Sequence, residues 1–322
     1  MIGVLYEHPE WFVPLFAELD RRGLPYERLL ADRLSYDPAA TSSPYALVFN
    51  RMSPSAYLRG HARAIFATRH YLAHLERLGV ATINGSAAYN LELSKARQLG
   101  LLALLGLPAP RTRVINDLSQ LEPAAAELTF PLILKPNVGG SGALMRRIAS
   151  AVELQDASLE DVFGLDGTAL VQEYHPPLGG SIVRVEVLDG QFLYAIRIHN
   201  DPNQGFNLCP ADICQTSEES FDNCPVEVPA KAQRKIEAVT PPDRVREAVI
   251  RLTTTAGLDL GGVEYLESER DGQVYFYDIN SLSNFVTDAP NVVGFDPFVQ
   301  LGDLVERRWA AASHQVAAAS AR

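Results

Sequence analysis

The sequence predicts an α/β protein built in three parts, and three observations predict it. Residues 1–88 read in order as strand, helix, strand, strand, helix, strand. A short apolar strand near residue 130 runs into a glycine-rich loop. Two hairpins then occupy residues 182–198 and 263–279. The first pattern is that of a small open α/β unit, and the later ones supply sheet of a different kind.

Size and composition suit such a division. The chain has 322 residues, 47% of them hydrophobic, enough for two or three packed units. Its formal net charge is -11, and no Lys/Arg-rich block forms a nucleic-acid footprint. A pocket with a few local cations is still compatible with that total. No apolar run approaches the roughly 20 residues that span a bilayer. Met1-Ile-Gly-Val-Leu-Tyr6 reads as a strand without a basic leader, so neither a signal peptide nor a membrane partner is expected, and the location expected is cytoplasmic. The three cysteines, Cys209, Cys214 and Cys224, match no zinc spacing; an odd, low count fits free thiols in a reducing compartment.

In chain order, residues 2–6 form a strand, and Phe12, Leu15, Phe16 and Leu19 mark one side of a helix closed by Gly23-Leu-Pro25. Tyr26–Leu30 and Tyr45–Phe49 are strands, Ala56–Leu78 a long helix, and Val80–Ile83 a strand. Ligands on open α/β sheets gather beyond the carboxyl ends of the strands. Asn50 and Arg51 fall there and are candidates for acceptor binding, as is Asn84-Gly85, which ordinary turn chemistry explains equally well. Asn90 is expected to cap a helix carrying Lys95 near its start. Thr112–Ile115 is strand-like, and Pro123 restricts Leu118–Glu127 to short helical pieces.

Leu132-Ile-Leu134 then delivers Lys135 at the end of a buried strand, and Gly139, Gly140 and Gly142 flank Ser141. Glycines let successive backbone N–H groups turn toward an anion, and a lysine beside them makes a phosphate clamp; a strand entering a plain hairpin loop is the other reading. The lysine precedes the glycines, so this is not a Walker A loop, and Gly-x-Gly-x-x-Gly is absent. Ala169–Tyr174 is an apolar strand ending in Gln172, Glu173 and Tyr174, either an edge for a nucleobase or a linker.

The hairpin Ile182–Leu188 and Phe192–Ile198 turns at Asp189-Gly190. Arg184 and Glu186 share a face that Arg197 on the partner strand could join, and such a charged face is either solvated or turned to a site. Residues 200–230 are irregular and polar, including Asn203, Gln204, Asn207 and Asp212; loops of that length are often functional. Pro242–Thr255 is helical. In the second hairpin Glu264 faces Asp278 and Asn280, two carboxylates and an amide suited to Mg²⁺, or else a solvated pair of strands. A short helix over Gln300–Trp309 and a frayed tail over 310–322 end the chain.

Taken together, in this order, these features resemble the ATP-grasp superfamily, in particular carboxylate–amine ligases of the ribosomal-protein glutamate-ligase and glutathione-synthetase type. The likeness runs over roughly residues 84–300. It implies an N-terminal domain over 1–88, a central subdomain over 89–174 and a C-terminal subdomain over 175–309. It implies that Lys95 and Lys135 contact phosphates and that Gly139, Gly140, Ser141 and Gly142 close over them. Gln172, Glu173 and Tyr174 would hold adenine, and Arg184, with Lys135, would act on the transferred phosphate. Glu264, Asp278 and Asn280 would bind Mg²⁺ or Mn²⁺, and Asn50, Arg51, Arg197 and Asn207 are the substrate candidates.

The chain departs from the family pattern in the run after Asn280, Ser281-Leu-Ser283-Asn284-Phe285, which lacks the glycine or proline often found there, and at three single positions. Ile182 stands where an acid is frequent, Glu264 where aspartate is, and Asp278 where glutamate is. The implied activity is ATP-dependent ligation of a carboxylate and an amine through an acyl phosphate. Its substrates would be small molecules, amino acids or peptides, and a homo-oligomer is compatible with the likeness. A small-molecule kinase on the same scaffold and a nucleotide-binding regulator without turnover are the alternatives. A serine hydrolase is not supported, because no Gly-x-Ser-x-Gly elbow occurs.

Overall fold

The computed structural model describes residues 1–156, 160–199 and 235–320. Asn207, the three cysteines and the polar stretch around them lie outside the described residues.

The N-terminal unit is built from β1 (Ile2–Tyr6), α1 (Val13–Arg21), β2 (Tyr26–Leu30), β3 (Leu47–Arg51), α2 (Ala62–Arg77) and β4 (Ala81–Ile83). Its strands are all parallel, in the order β2-β1-β3-β4. The long helix expected from Ala56 is broken. A 3-10 turn over Ala56–Arg59 ends at Gly60, whose φ of 80° is left-handed, and α2 starts after it. Two helices follow, α3 (Ser86–Glu92) and α4 (Lys95–Leu104). Asn90 therefore lies inside α3, and Ser94 is the cap of α4, accepting from Arg97 N at 3.2 Å.

The middle unit contains β5 (Thr112–Ile115), α5 (Leu121–Ala126), β6 (Leu132–Pro136), β7 (Arg146–Ile148), α6 (Ala151–Asp156) and β8 (Ala169–Glu173). Its antiparallel sheet runs β5-β8-β6-β7. Leu132, Leu134, Ile148, Ala169 and Val171 bury one face against α5 and α6.

The last unit has β9 (Ser181–Leu188), β10 (Gln191–His199), β11 (Ile236–Ala238), α7 (Asp243–Ala256), β12 (Leu260–Glu267), β13 (Val274–Asn280), α8 (Ala289–Val293) and α9 (Pro297–Ser320). The antiparallel order is β11-β10-β9-β12-β13. Alternation decides what each face meets. Val183, Val185 and Val187 pack on α7 with Val245, Val249 and Leu252. Ile182 and Leu188 point the other way, into a cluster shared with the N-terminal unit.

Two boundaries differ from expectation. Ala88, Leu91 and Leu102 of α3 and α4 join the core of the five-stranded sheet rather than that of the middle unit. The residues after Trp309 continue α9 to Ser320, because an alanine-rich run propagates a helix already begun. That helix returns to the N-terminal unit, where Arg22 Nη1 meets Asp303 at 2.7 Å and Glu306 at 2.8 Å. Among the described residues no helix is long and apolar enough to cross a membrane.

Candidate active site

Two lysines are brought together by one asparagine. Lys135 ends β6, a strand flanked on both sides and fully buried. Asn137, two residues on, receives Ala96 N on its Oδ1 at 2.9 Å, and its carbonyl receives Lys95 N at 3.2 Å. The first turn of α4 is thereby docked on the end of β6, which places Lys95 beside Lys135. The glycine loop follows, with Ser141 and Gly142 at positive φ. Gly140 lies against the N-terminal unit, where a Cβ would stand 3.3 Å from Cβ of Ser55. A side chain there would press the loop off that wall.

The second half of the site is written in sheet register. Glu264 on β12 lies opposite Arg184 on β9 and opposite Asp278 on β13. Cross-strand partners share a face. Arg184 Nη1 donates to Glu264 Oε1 at 3.1 Å, and Lys95 pairs with Asp278. A bulge beside Glu264 turns Tyr277 onto the same side, where its hydroxyl donates to Glu264 Oε2 at 2.9 Å. Asn280 Nδ2 reaches Asp278 Oδ2 at 3.3 Å. Glu264, Asp278 and Asn280 thus line the same cleft as Lys95 and Lys135.

Burial sets the charges. Desolvation, with Lys95 nearby, lowers Lys135 to about 7. Lys95 is also penalised by burial, but Asp278 outweighs that and raises it. Glu264 is raised by burial and by Asp278, whereas the two lysines hold Asp278 below its ordinary value against its own burial. Glu92, on the last turn of α3, is pushed up to about 7 by burial and accepts the backbone N–H of Ser281.

These groups line one cleft of about 210 Å³ between the three units. Its walls include Lys95, Lys135, Gly139 to Gly142, Gln172, Glu173, Tyr174, Arg184, Glu264, Asp278 and Asn280. The strand-end side chains are held in place from behind. Gln172 Nε2 donates to Thr112 Oγ1 at 2.8 Å, and Glu173 Oε1 receives Thr129 N at 2.9 Å.

Three substrate candidates are not among the cleft-lining residues. Asn50 donates to Asn84 O at 3.0 Å and accepts Met52 N at 3.1 Å, which makes it an internal tie. Arg51, 1% exposed, donates to Ser283 O at 2.5 Å and Asn284 Oδ1 at 2.9 Å, locking β3 onto the segment after β13. Arg197 pairs opposite Val183, so it takes the face away from Arg184.

Other cleft residues carried no signal in the sequence. Trp11, Ser53 and Ser55 form the N-terminal wall, and Glu92 and Tyr277 face the charges. His175 is buried at the cleft with Nδ1 3.1 Å from Ser268 Oγ.

The oxygen donors fit a hard divalent cation. Among the described residues no group of three or more His, Cys, Asp or Glu side chains is arranged to hold a metal. Two carboxylates and an amide oxygen leave coordination positions for substrate phosphates and water, as Mg²⁺ prefers.

Comparison with known proteins agrees with this architecture. No protein-family model matches the chain. A D-alanine–D-alanine ligase of Ectopseudomonas mendocina (strain ymp) is 38% identical over 120 residues, 37% of this chain and 37% of that protein. The chain thus matches little more than a third of the length of that curated relative. The D-alanine–D-alanine ligase of Geobacter sulfurreducens is 26% identical over 72% of this chain and 69% of its own. Among solved structures, the ATP-grasp ligase PsnB complexed with a minimal precursor superimposes with a TM-score of 0.66 at 23% identity, covering 95% of this chain and 98% of that one. The chain has the ATP-grasp fold.

Proposed function

We propose that this chain is an ATP-dependent carboxylate–amine ligase that uses Mg²⁺ and proceeds through an acyl phosphate. The observation that carries this reading is the cleft itself. Lys95, Lys135 and Arg184 meet Glu264, Asp278 and Asn280 beside a glycine loop and a strand end. No side-chain nucleophile is required in such a site.

In the first step a substrate carboxylate oxygen attacks the γ-phosphorus of ATP, and the bond to the β-phosphate oxygen breaks to release ADP. In the second, an amine nitrogen attacks the acyl carbon, phosphate leaves with the C–O electron pair, and the amine loses a proton. Lys95 and Lys135 bind phosphate oxygens, and Arg184 faces the oxygens of the phosphoryl group in transfer. Glu264, Asp278 and Asn280 would hold Mg²⁺, which when bound would neutralise phosphate charge. Gly139 to Gly142 cover the phosphates and keep water from the acyl phosphate. Backbone groups at Gln172 to Tyr174 receive the adenine edge.

The two D-alanine–D-alanine ligases and PsnB with its precursor support an amino acid or peptide as substrate. The low cysteine count supports a reducing, cytoplasmic setting.

Incubation with Mg²⁺-ATP and pools of amino acids and short peptides tests the reading. ADP release with a product lighter by one water than its two parts is expected. A phosphorylated product would instead mean a kinase, and nucleotide binding without turnover across all pools a regulatory protein.

A further inference from the structure

Arg184 lies in a seat made by two residues that the reaction above does not use. Glu186, on the same face of β9, is 0% exposed. Its Oε1 accepts from Arg184 Nε at 2.6 Å, and among the described residues its Oε2 has no hydrogen-bond partner. Across the sheet, Glu186 is in register with Gly262 of β12. The guanidinium lies directly over that glycine. A Cβ at residue 262 would stand 2.6 Å from Arg184 Nε and Nη2 and 2.7 Å from Cζ. Gly262 is not among the positive-φ glycines, so space for the guanidinium, rather than backbone freedom, is what its missing side chain provides.

We propose that Glu186 and Gly262 are positioning residues that fix the plane and reach of Arg184 toward the transferred phosphoryl group. This rests on the ligase reading of the cleft. The physical need is specific. Among the described residues Arg184 pairs with two carboxylates, and one of them, Glu264, belongs to the oxygen set that would turn to Mg²⁺. When it does, Glu186 keeps the guanidinium oriented and its charge balanced at the Nε edge. A buried carboxylate is costly without a cation, so the pair is mutually enforcing. Gly262 sets the height of the guanidinium above the sheet, and misplacing such a group by an ångström costs catalysis heavily.

The test is calorimetric binding of Mg²⁺-ADP and of Mg²⁺-AMPPNP, a non-hydrolysable ATP analogue, to the full chain. Comparing the two isolates the γ-phosphate contact. Arg184→Ala is expected to weaken AMPPNP by about ten- to a hundredfold, the worth of one charge-assisted hydrogen bond, and to leave ADP unchanged. Gly262→Ala pushes against the flexible end of an arginine, so it is expected to fold normally and show the same selective loss. Glu186→Leu should do likewise. Glu186→Gln, which still accepts from Nε, should recover most of the affinity.

The double variants with Arg184→Ala should be no worse than Arg184→Ala alone, which a merely structural role would not produce. Wild-type AMPPNP affinity in Gly262→Ala, or losses that add to that of Arg184→Ala, would overturn the seat and leave the ligase reading standing. A wild-type chain that binds neither nucleotide would overturn both.

Discussion

Lys135 is a residue whose chemistry the fold displaces strongly. Its pKa falls from 10.5 to about 7 because the ammonium is buried next to Lys95. Bound phosphates would restore its charge, so nucleotide binding at about pH 8 should take up close to one proton, and at about pH 6 almost none. Calorimetry in buffers of different ionisation enthalpy reads this directly, and Lys135→Met should abolish the uptake; equal uptake in that variant would assign the proton elsewhere. The stability consequence has a definite sign. Between about 7 and 10.5 the unfolded chain holds the proton that the folded chain has lost, so this lysine's contribution to stability rises with pH over that window. Lys135, Arg184, Glu264 and Asp278 stood out as candidates in the sequence because each interrupts the apolar pattern of a strand. The face that Arg197 takes was not legible, since one residue of register changes it. The partners of Arg51 were not legible because a cation at a strand end looks the same whether it meets a ligand or a carbonyl.

At the scale of elements, the site depends on how α4 is fastened to β13. β13 is an edge strand, and at Ile279 its open side is completed by a side chain. Gln98 Oε1 receives Ile279 N at 3.1 Å, and Gln98 Nε2 donates to Ile279 O at 2.8 Å. The amide thus imitates a neighbouring strand and holds Lys95 against Asp278 from one helical turn away. Gln98→Ala should cost about 2 kcal/mol of stability by leaving two buried backbone groups unpaired. Gln98→Glu should also destabilise, because a carboxylate cannot donate to Ile279 O. Denaturant unfolding measures both, and a wild-type midpoint in Gln98→Ala would remove the staple from the account. Nothing in the sequence marks this residue, since a glutamine in a helix is ordinarily solvated. Ser94 was overlooked as the cap for a related reason: the apolar positions from Leu91 to Leu105 read as one helix after Asn90, although α3 ends at Glu92 and α4 begins at Lys95.

Across the whole molecule, three sheets meet at one cleft, and a single asparagine shows how tightly two of the units are joined. Asn84, at the end of β4, donates to Leu260 O and Ser281 O at 2.7 Å each and accepts Asp259 N at 2.8 Å. Asn84 is 1% exposed and left-handed in φ, which suits an interdomain tie rather than a ligand contact. The three-part plan was legible because each part has its own periodicity. The manner of joining was not, because it rests on hydrogen bonds between residues some 175 positions apart. The central claim, transfer of a phosphoryl group to a carboxylate before the amine attacks, is tested most directly by isotope. Pools of amino acids and peptides with ¹⁸O in their carboxyl groups would be turned over with Mg²⁺-ATP and the released phosphate weighed. The account predicts one ¹⁸O atom in that phosphate, carried from the acid through the acyl phosphate. Amide formation with unlabelled phosphate would contradict it.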